Sequence, residues 1–313
     1  MTIYNSLSEI EYDKKRTITV GSFDGVHRGH LEIIKKLISE AKENDTKSLL
    51  ITFDPHPQLI VKNPLRSEIF ILNELSEKIE ILTNLGLDEL LVINFTPEFS
   101  QHSPDSFIKE ILNDKIGFAK ILVGYDHLFG KDRKGNYNLL LNYGRDYNFS
   151  IEKMNALTSE DTIISSTEIR NLLKSHRIGE ANTLLGYNYS VSGTVVVGNQ
   201  LGNKIGFPTV NIKPDSEHKL IPARGVYLTK VTYDNKKYWG MGNIGLRPTL
   251  TDDKKETLEI NIFDFDKNIY GEHVKAEFYK FIRQEIKFSG VDKLIEQLRQ
   301  DKENCMKLRN MFL

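Results

Sequence analysis

The sequence predicts a two-domain protein, in which an α/β domain with a parallel sheet precedes an antiparallel β-barrel domain that ends in a helix. In the first half, compact apolar runs alternate with helix-like segments, an order typical of a parallel sheet covered by helices on both faces. Beyond Gly186 the chain changes to short runs rich in Val, Tyr and Thr, broken by Gly, Pro and Asn. Such runs are typical of antiparallel barrels and sandwiches.

The elements of the first half each have their own signal. The first helix is expected to be amphipathic because Leu31, Ile34 and Ile38 recur at helical spacing. The second should end before Gly86, and the third should begin at Pro104, a residue favoured in the first turn. The predicted strands are Arg16–Val20, Ser48–Phe53, Glu89–Asn94 and Lys120–Gly124, and the predicted helices are Leu31–Ala41, Ser76–Leu85 and Pro104–Leu112.

The second half contains the β-like runs SVSGTVVVG, GVYLTKVTY, YWGMGNIG, LEINIFDF and HVKAEFYKFI. An amphipathic helix over Val291–Met311 is expected to close the chain, and a helical segment over Thr167–Leu185 is expected to bridge the halves. The change of pattern predicts a first domain of residues 1–186 and a second of residues 187–313.

Composition excludes several classes of protein. The 313 residues are enough for two domains, and 43 acidic against 42 basic residues argue against a strongly basic nucleic-acid-binding protein. With one cysteine, Cys305, no intramolecular disulfide can form. The polar N-terminus is unlike a signal peptide, and no apolar run is long enough for a membrane span. A soluble cytoplasmic protein without nucleic-acid or membrane partners is expected.

The stretch VGSFDGVHRGH, from Val20 to His30, joins the first predicted strand to the first predicted helix. In open α/β sheets ligands bind beyond the carboxyl ends of strands, and helix N-termini favour phosphate. Gly21 and Gly25 permit close backbone approach, while His27 and His30, three residues apart, should project from one side of the first turn. Two imidazoles there can donate hydrogen bonds to a phosphate under attack.

Other interpretations of this stretch remain open. The histidines can simply cap the helix. They can also bind a metal together with His56, although no acidic residue or cysteine completes a recognisable ligand spacing.

Several collinear motifs carry a family resemblance. GSFDGVHRGH resembles the HxGH signature of nucleotidyltransferases and, more narrowly, the adenylyltransferase half of prokaryotic bifunctional riboflavin kinase/FAD synthetases. The motifs TFDPHP, GYDHLFG and ISSTEIR follow in that family's order. The second half resembles the family's kinase module through GNKIGFPTVN, GVY, GMGNIGLRPT, LEINIFDFD and FIRQEIKF, so that the resemblance covers nearly the whole chain.

The resemblance implies a Rossmann-like nucleotidyltransferase domain that converts FMN and ATP to FAD and pyrophosphate. His27 and His30 are then catalytic, and the SSTEIR segment is a clamp for the leaving pyrophosphate, although it also fits a capping box. The implied ATP and phosphate contacts are Gly21, Phe23, Asp24, Gly25, His27, His30, Ser165, Ser166, Thr167 and Arg170.

The implied flavin or acceptor site of this domain contains Asp54 and Asp126, although FDPHP also fits a proline-stiffened turn after a strand. Here the chain departs from the family's GxDFRFG pattern, because His127 and Leu128 follow Asp126. The usual basic residue is missing, and Lys131 or Arg133 could supply its phosphate or flavin contact.

The second domain is implied to be a riboflavin kinase, which transfers a phosphoryl group from ATP to the terminal ribityl hydroxyl. Thr209 and Asn211 are the implied Mg²⁺ ligands, and in an extended chain these alternate residues face the same way. Glu259 alternates with the apolar Leu258 and Ile260, which by itself is typical of a solvent-facing strand residue. The resemblance makes Glu259 the base that accepts the hydroxyl proton.

The implied ATP contacts of the kinase are Gly202, Lys204, Gly206, Pro208, Thr209 and Asn211, and its implied flavin contacts are Tyr227, Glu259 and Arg283. Glu285 is a weaker candidate. The aromatic residues Phe207, Tyr227 and Trp239 could stack on a flavin or simply pack in the core.

The sequence therefore predicts an enzyme that makes FMN and FAD, with Mg²⁺ as cofactor and riboflavin, FMN and ATP as small-molecule substrates. A monomer or weak homo-oligomer is expected. Two rival functions remain: a nucleotidyltransferase for another phosphorylated substrate with a regulatory barrel, and a flavin sensor without catalysis. Glu259 beside an intact GFPTVN motif argues against the first rival, and the His27, His30 and Arg170 set argues against the second.

Overall fold

The computed structural model describes residues 1–61, 70–125, 127–159, 162–198, 201–247 and 255–312. The chain divides into two compact units, Met1–Ser166 and Thr167–Leu313. Among the described residues, no helix combines the length and the apolar character needed to cross a bilayer.

The first unit is built on a parallel sheet of six strands in the order β1-β4-β3-β2-β5-β6. Its strands are β1 (Thr2–Tyr4), β2 (Arg16–Val20), β3 (Lys47–Asp54), β4 (Glu89–Asn94), β5 (Lys120–Val123) and β6 (Ser150–Lys153). The predicted parallel sheet and its four inner strands are confirmed. The edge strands β1 and β6 were not predicted, because they are short and only partly buried.

Helices connect these strands. They are α1 (Arg28–Glu43), α2 (Pro57–Ile60), α3 (Leu75–Leu85), α4 (Pro104–Ser106), a π-helix over Phe107–Ile116 and α5 (Tyr137–Tyr147), with short 3₁₀ turns at Phe99–Gln101 and Lys131–Arg133. The predicted third helix thus continues past Leu112 and changes to π geometry. A two-stranded ladder of β7 (Thr158–Ser159) and β8 (Thr162–Ile163) precedes the end of the unit.

The sheet separates two hydrophobic clusters. Alternate residues of a single strand enter different clusters, as Leu49 and Ile51 enter one and Leu50 enters the other. The inner strands are therefore buried on both faces, which explains why they are continuous apolar runs in the sequence.

A buried ion pair lies at the amino-terminal end of the sheet. Arg16 Nε is 2.7 Å from Glu89 Oε2, and each side chain is only 3% exposed. Arg16 also donates hydrogen bonds to the carbonyl oxygens of Glu11 and Ile116, while Tyr4 OH donates to Glu89. This network joins β1, β2 and β4 at the end opposite the predicted phosphate site.

The second unit opens with two helices, α6 (Ser166–Lys174, whose first residue belongs to the first unit) and α7 (Ile178–Leu185). The single predicted helix is broken at His176, whose φ of 62° is not helical. The β-like runs form a closed antiparallel barrel in the order β10-β13-β12-β11-β14-β9, as predicted. Its strands are β9 (Ser190–Val196), β10 (Val210–Pro214), β11 (Gly225–Tyr233), β12 (Lys236–Arg247), β13 (Lys255–Ile262) and β14 (His273–Arg283).

Two further helices belong to the barrel. The short α8 (Leu201–Lys204) lies between β9 and β10, and the predicted terminal helix is α9 (Val291–Arg309), followed by a 3₁₀ turn at Asn310–Phe312. The buried Cys305 of α9 joins a core cluster with Val226, Leu228 and Trp239 of the barrel.

Replacing Glu89 by Gln should destabilise the first unit by about 3–5 kcal/mol, because the substitution leaves the Arg16 charge buried without its counter-charge. Glu32→Gln is the matched control, since Glu32 is 52% exposed in its ion pair with Lys35, and it should cost less than about 1 kcal/mol. Urea unfolding followed by circular dichroism measures both. Equal losses in the two variants would contradict the prediction.

Candidate functional site

The loop between β2 and α1 has an unusual backbone. Phe23 and Val26 have positive φ angles of 45° and 31°, and Gly25 has a φ of 86°. Non-glycine residues adopt this region rarely, and such residues cluster at functional sites. The loop lies directly after the carboxyl end of a central strand, where open α/β sheets bind ligands.

The buried side chain of Asp24 anchors this loop. Its Oδ1 accepts hydrogen bonds from the backbone N–H groups of Leu72 at 2.8 Å and Asn73 at 3.1 Å. The residue is only 3% exposed. Asp24 was predicted as an ATP contact, and the structure places its carboxylate as an anchor for the loop.

The two histidines lie face to face at the start of α1. Their rings are stacked, with centroids 3.7 Å apart and an angle of 18° between the planes. His27 is the N-cap, and its Nδ1 accepts a hydrogen bond from the backbone N–H of His30 at 3.4 Å. Capping and projection from one side of the first turn therefore occur together.

His30 is held as a neutral imidazole. Burial lowers its pKa well below the ordinary value, and the nearby His27 and Lys78 lower the pKa further. Among the described residues, no hydrogen-bond partner reaches the buried Nδ1 of His30. A neutral imidazole carries one N–H, so the pair can donate hydrogen bonds without adding a full positive charge.

Ser165 and Ser166, which follow β8, lie close to the β2–α1 loop. Ser166 Oγ donates to the carbonyl oxygen of Asp24 at 2.8 Å, which ties the first residue of α6 to the β2–α1 loop, and Ser165 precedes it. Thr167 and Arg170 follow on α6 and belong to the second unit, Thr167 exposed and Arg170 half-buried.

Sequence reasoning missed Lys78 of α3. Its side chain is nearly fully buried, and Nζ donates to the Ser22 carbonyl oxygen at 2.7 Å and to Thr52 Oγ1 at 3.1 Å. The sequence held only a partial signal: Lys78 shares one helical face with Leu75 and Leu82, but that spacing does not by itself show that the lysine is buried.

Of the two predicted acceptor residues, Asp54 is the one that the structure describes. Asp54 is exposed at the end of β3, and His56 caps α2 by accepting from Gln58 N at 3.2 Å. Asp126 lies outside the described residues. Within the described part of the chain, no three His, Cys, Asp or Glu side chains group as a metal site.

His127 and Leu128, the residues that differ from the family's GxDFRFG pattern, directly follow Asp126 in the sequence. His127 packs against Phe129 with ring centroids 5.5 Å apart, and Leu128 is 45% exposed. The candidate replacements Lys131 and Arg133 are exposed in a 3₁₀ turn.

The second unit contains a cavity of about 220 Å³ at the barrel. Predicted site residues that line it are Gly202, Phe207, Thr209, Glu259, Arg283 and Glu285. The strand register aligns Glu259 with Asn211 of β10 on one side and with Asn243 of β12 on the other. Residues from distant parts of the sequence thus meet at one opening.

The GNKIGFPTVN segment closes on itself beside this cavity. A Cβ at Gly202 would lie 2.2 Å from the Phe207 carbonyl oxygen, so only glycine fits there. Asn261 Nδ2 donates to the Pro208 carbonyl oxygen at 2.6 Å and anchors the segment to β13. Lys204 and Gly206 are exposed.

Arg283 contributes to the cavity wall in a fixed position. Its guanidinium donates to both carboxylate oxygens of Asp301, at distances of 2.6 to 3.0 Å, and Asp301 is 1% exposed. Helix α9 therefore sets the orientation of this predicted flavin contact.

Two aromatic candidates do not line the cavity. Tyr227 is fully buried, its hydroxyl donates to the Ala223 carbonyl oxygen, and its ring packs on Phe278 and Phe281. Trp239 packs on Tyr279. Phe207 does line the cavity, and so do Asn243 and Asn261, which sequence reasoning missed.

Comparison with known families matches both halves of the chain. The sequence model of the FAD synthetase family matches residues 9–168, and that of the riboflavin kinase family matches residues 185–309. The bifunctional riboflavin kinase/FMN adenylyltransferase of Listeria monocytogenes is 37% identical over 292 residues, covering 93% of this chain and 92% of the relative. The chain belongs to this family.

Two further relatives span a similar length. The protein of the same name from Buchnera aphidicola of Schizaphis graminum is 38% identical, over 94% of each chain. A crystal structure from Streptococcus pneumoniae, described as a macrolide-efflux protein, has a TM-score of 0.85 and 29% identity, covering 96% of this chain and 97% of that one. The family match thus extends into both units: the histidine pair lies inside the first matched region, and the residues that line the barrel cavity lie inside the second.

We expect the His30 imidazole to stay neutral at pH 6, because burial and the neighbouring His27 and Lys78 disfavour the imidazolium and lower its pKa below 6.5. Nuclear magnetic resonance of the imidazole protons over a pH series measures this. The spectrum of His30→Gln assigns the signal by its disappearance. Titration of His30 at or above about 6.5 would contradict the expected environment.

Proposed function

We propose that this chain phosphorylates riboflavin to FMN in its second unit and adenylylates FMN to FAD in its first. The observation that supports this most directly is the pair of sites. A stacked histidine pair follows a strained loop at a helix start in one unit, and Thr209, Glu259 and Arg283 surround one cavity in the other. Each rival function would need only one of these two sites.

In the adenylyltransferase reaction, a phosphate oxygen of FMN attacks the α-phosphorus of ATP, and the bond to pyrophosphate breaks. His27 and the neutral His30 donate hydrogen bonds to the phosphoryl oxygens, where negative charge develops. The N–H groups at the start of α1 favour the same charge. Gly21, Phe23 and Gly25 shape the loop that approaches the nucleotide.

The remaining contacts of this reaction stay predictions. Ser165, Ser166, Thr167 and Arg170 are the proposed ligands of the leaving pyrophosphate, because hydroxyls and a guanidinium suit its oxygens. Asp54 and Asp126 are the proposed residues of the acceptor site.

In the kinase reaction, Glu259 accepts the proton of the ribityl hydroxyl as its oxygen attacks the γ-phosphorus of ATP, and ADP leaves. Gly202, Lys204, Gly206 and Pro208 form the segment proposed to cover the phosphates. Arg283, oriented by Asp301, is the proposed flavin contact. Tyr227 is not included, because its ring is buried in the core.

The donor atoms near the kinase cavity suit Mg²⁺. Thr209 and Asn211 offer a hydroxyl and an amide oxygen, and Glu259 is aligned with Asn211 in the strand register. Mg²⁺ prefers oxygen ligands and completes its shell with phosphates and water. When bound, it would neutralise phosphate charge on ATP.

The proposal also covers the domain boundary, the cellular location and the oligomeric state. The functional boundary is proposed to lie between residues 186 and 187, close to where the match to the riboflavin kinase family begins. A single buried cysteine, Cys305, supports a reducing, cytoplasmic location. A monomer or weak homo-oligomer without a nucleic-acid partner remains the expectation.

The double substitution His27→Ala with His30→Ala should abolish FAD formation from FMN and leave FMN formation from riboflavin intact, because the two reactions use separate sites. Chromatography of flavins after incubation with ATP and Mg²⁺ measures both products. FMN formation in the same sample is the control for folding of the chain. Undiminished FAD formation would refute the assignment of the histidine pair.

Glu259→Gln should lower riboflavin phosphorylation by about 10²- to 10⁴-fold, because the base is lost while the side-chain shape is kept. FAD formation from supplied FMN should not change. Glu256→Gln is the matched control on the same strand, since Glu256 is 43% exposed. Retained kinase activity in Glu259→Gln would show that another group accepts the proton.

A further inference from the structure

Lys78 is a buried cation that the proposed reactions do not use. It is 5% exposed, although lysine is almost never fully buried without a partner of opposite charge. Its Nζ donates to two neutral acceptors, the Ser22 carbonyl oxygen and Thr52 Oγ1. None of the ion pairs found among the described residues involves Lys78.

Burial of the Lys78 ammonium has an energetic cost. Burial lowers its pKa to about 8, and the charges of Asp24 and Asp54 offset only part of this effect. A buried ammonium that lacks an ion pair destabilises the folded protein. An apolar side chain of similar length would satisfy the packing of α3 at lower cost.

The charged and titratable groups around Lys78 come from three elements. The β2–α1 segment provides Asp24 and the pair His27 and His30, and β3 provides Asp54. On its own helix, Glu74 and Glu77 are bound to each other's backbone in a capping box. The ammonium therefore acts chiefly on the loop that carries the histidines.

Hydrogen bonds hold the Lys78 ammonium next to the β2–α1 loop. Ser22 belongs to the loop itself, and Thr52 Oγ1 also donates to the Ser22 carbonyl oxygen at 3.2 Å. After burial and the nearby His27, the Lys78 charge also contributes to the lowered pKa of His30. A positive charge at this point would attract a polyphosphate bound at the histidine pair.

We propose that Lys78 is a positioning residue of the adenylyltransferase site, whose buried charge beneath the Ser22 loop favours the triphosphate of ATP. This inference rests on the proposed function of the histidine pair. Because binding of a polyanion favours the charged lysine, ATP and the Lys78 proton bind cooperatively. As the pH rises and Lys78 loses its proton in the free enzyme, kcat/KM for ATP should fall.

The test compares the pH dependence of kcat/KM for ATP in FAD formation from FMN, a quantity that reports groups in the free enzyme. Lys78→Met removes the charge, and Lys78→Arg keeps a charge that does not titrate in this range. The matched control is Lys35→Met on α1, since the Lys35 side chain is 60% exposed. FMN formation by the same samples reports folding.

At pH 7, Lys78→Met should lower kcat/KM for ATP by about tenfold or more relative to the unsubstituted enzyme. Above pH 8 the ratio of the two should fall toward one as the unsubstituted enzyme loses its lysine charge. The ratio of Lys78→Arg to Lys78→Met should not fall in this range. A purely structural lysine would give a ratio that does not depend on pH, and that result would overturn the proposal.

A second measurement applies even if Lys78→Met does not fold. In the full-length enzyme labelled with ¹³C-lysine, the Lys78 signal, assigned by its absence in Lys78→Arg, should titrate near pH 8 and shift upward with ATP. An unchanged midpoint with ATP would overturn the proposal. If the unsubstituted enzyme makes no FAD from FMN, the proposed function itself fails, and if His27→Ala with His30→Ala still makes FAD, the assignment of the histidine pair fails. Loss of FAD formation in that double variant together with a pH-independent Lys78→Met ratio refutes only the role of Lys78.

Discussion

The need of buried polar groups for hydrogen-bond partners holds in place a key part of each candidate site. Asp24 is buried, and satisfying its carboxylate with the Leu72 and Asn73 N–H groups holds the β2–α1 loop in its uncommon backbone conformation. In the barrel, the buried carboxylate of Asp301 fixes the Arg283 guanidinium in the same way. Each candidate site therefore depends on a buried carboxylate that holds a loop or a side chain in place.

The sequence predicted what periodicity and motif spacing control. The inner strands were recognisable because burial on both faces requires continuous apolar runs, as in SLLITF and ELLVIN. Glu259 was recognisable only through the family resemblance, because its alternation with Leu258 and Ile260, both buried, by itself indicates a strand residue that faces solvent. The histidine pair was recognisable because a three-residue spacing at a helix start brings the rings together.

The sequence did not predict contacts that depend on tertiary structure. Lys78 looks like a surface residue within LSEKIE, and only the packing of α3 on the sheet shows that its face is buried. Tyr227 looked like a flavin contact because aromatic rings stack on flavins, yet its position in β11 turns the ring toward Phe278 and Phe281. Neither side chain's environment follows from local spacing, because each is decided by a segment far away in the chain.

The attachment of α9 to the kinase cavity has a consequence for biosynthesis. Leu294 and Leu298 line the cavity, and Asp301 orients Arg283, so the cavity is complete only after this helix has been translated. The parallel sheet, in contrast, needs no strand beyond Lys153 and can form while the barrel is still being made on the ribosome. Truncation of the chain before α9 should therefore remove riboflavin phosphorylation while leaving an adenylyltransferase that depends on FMN from elsewhere.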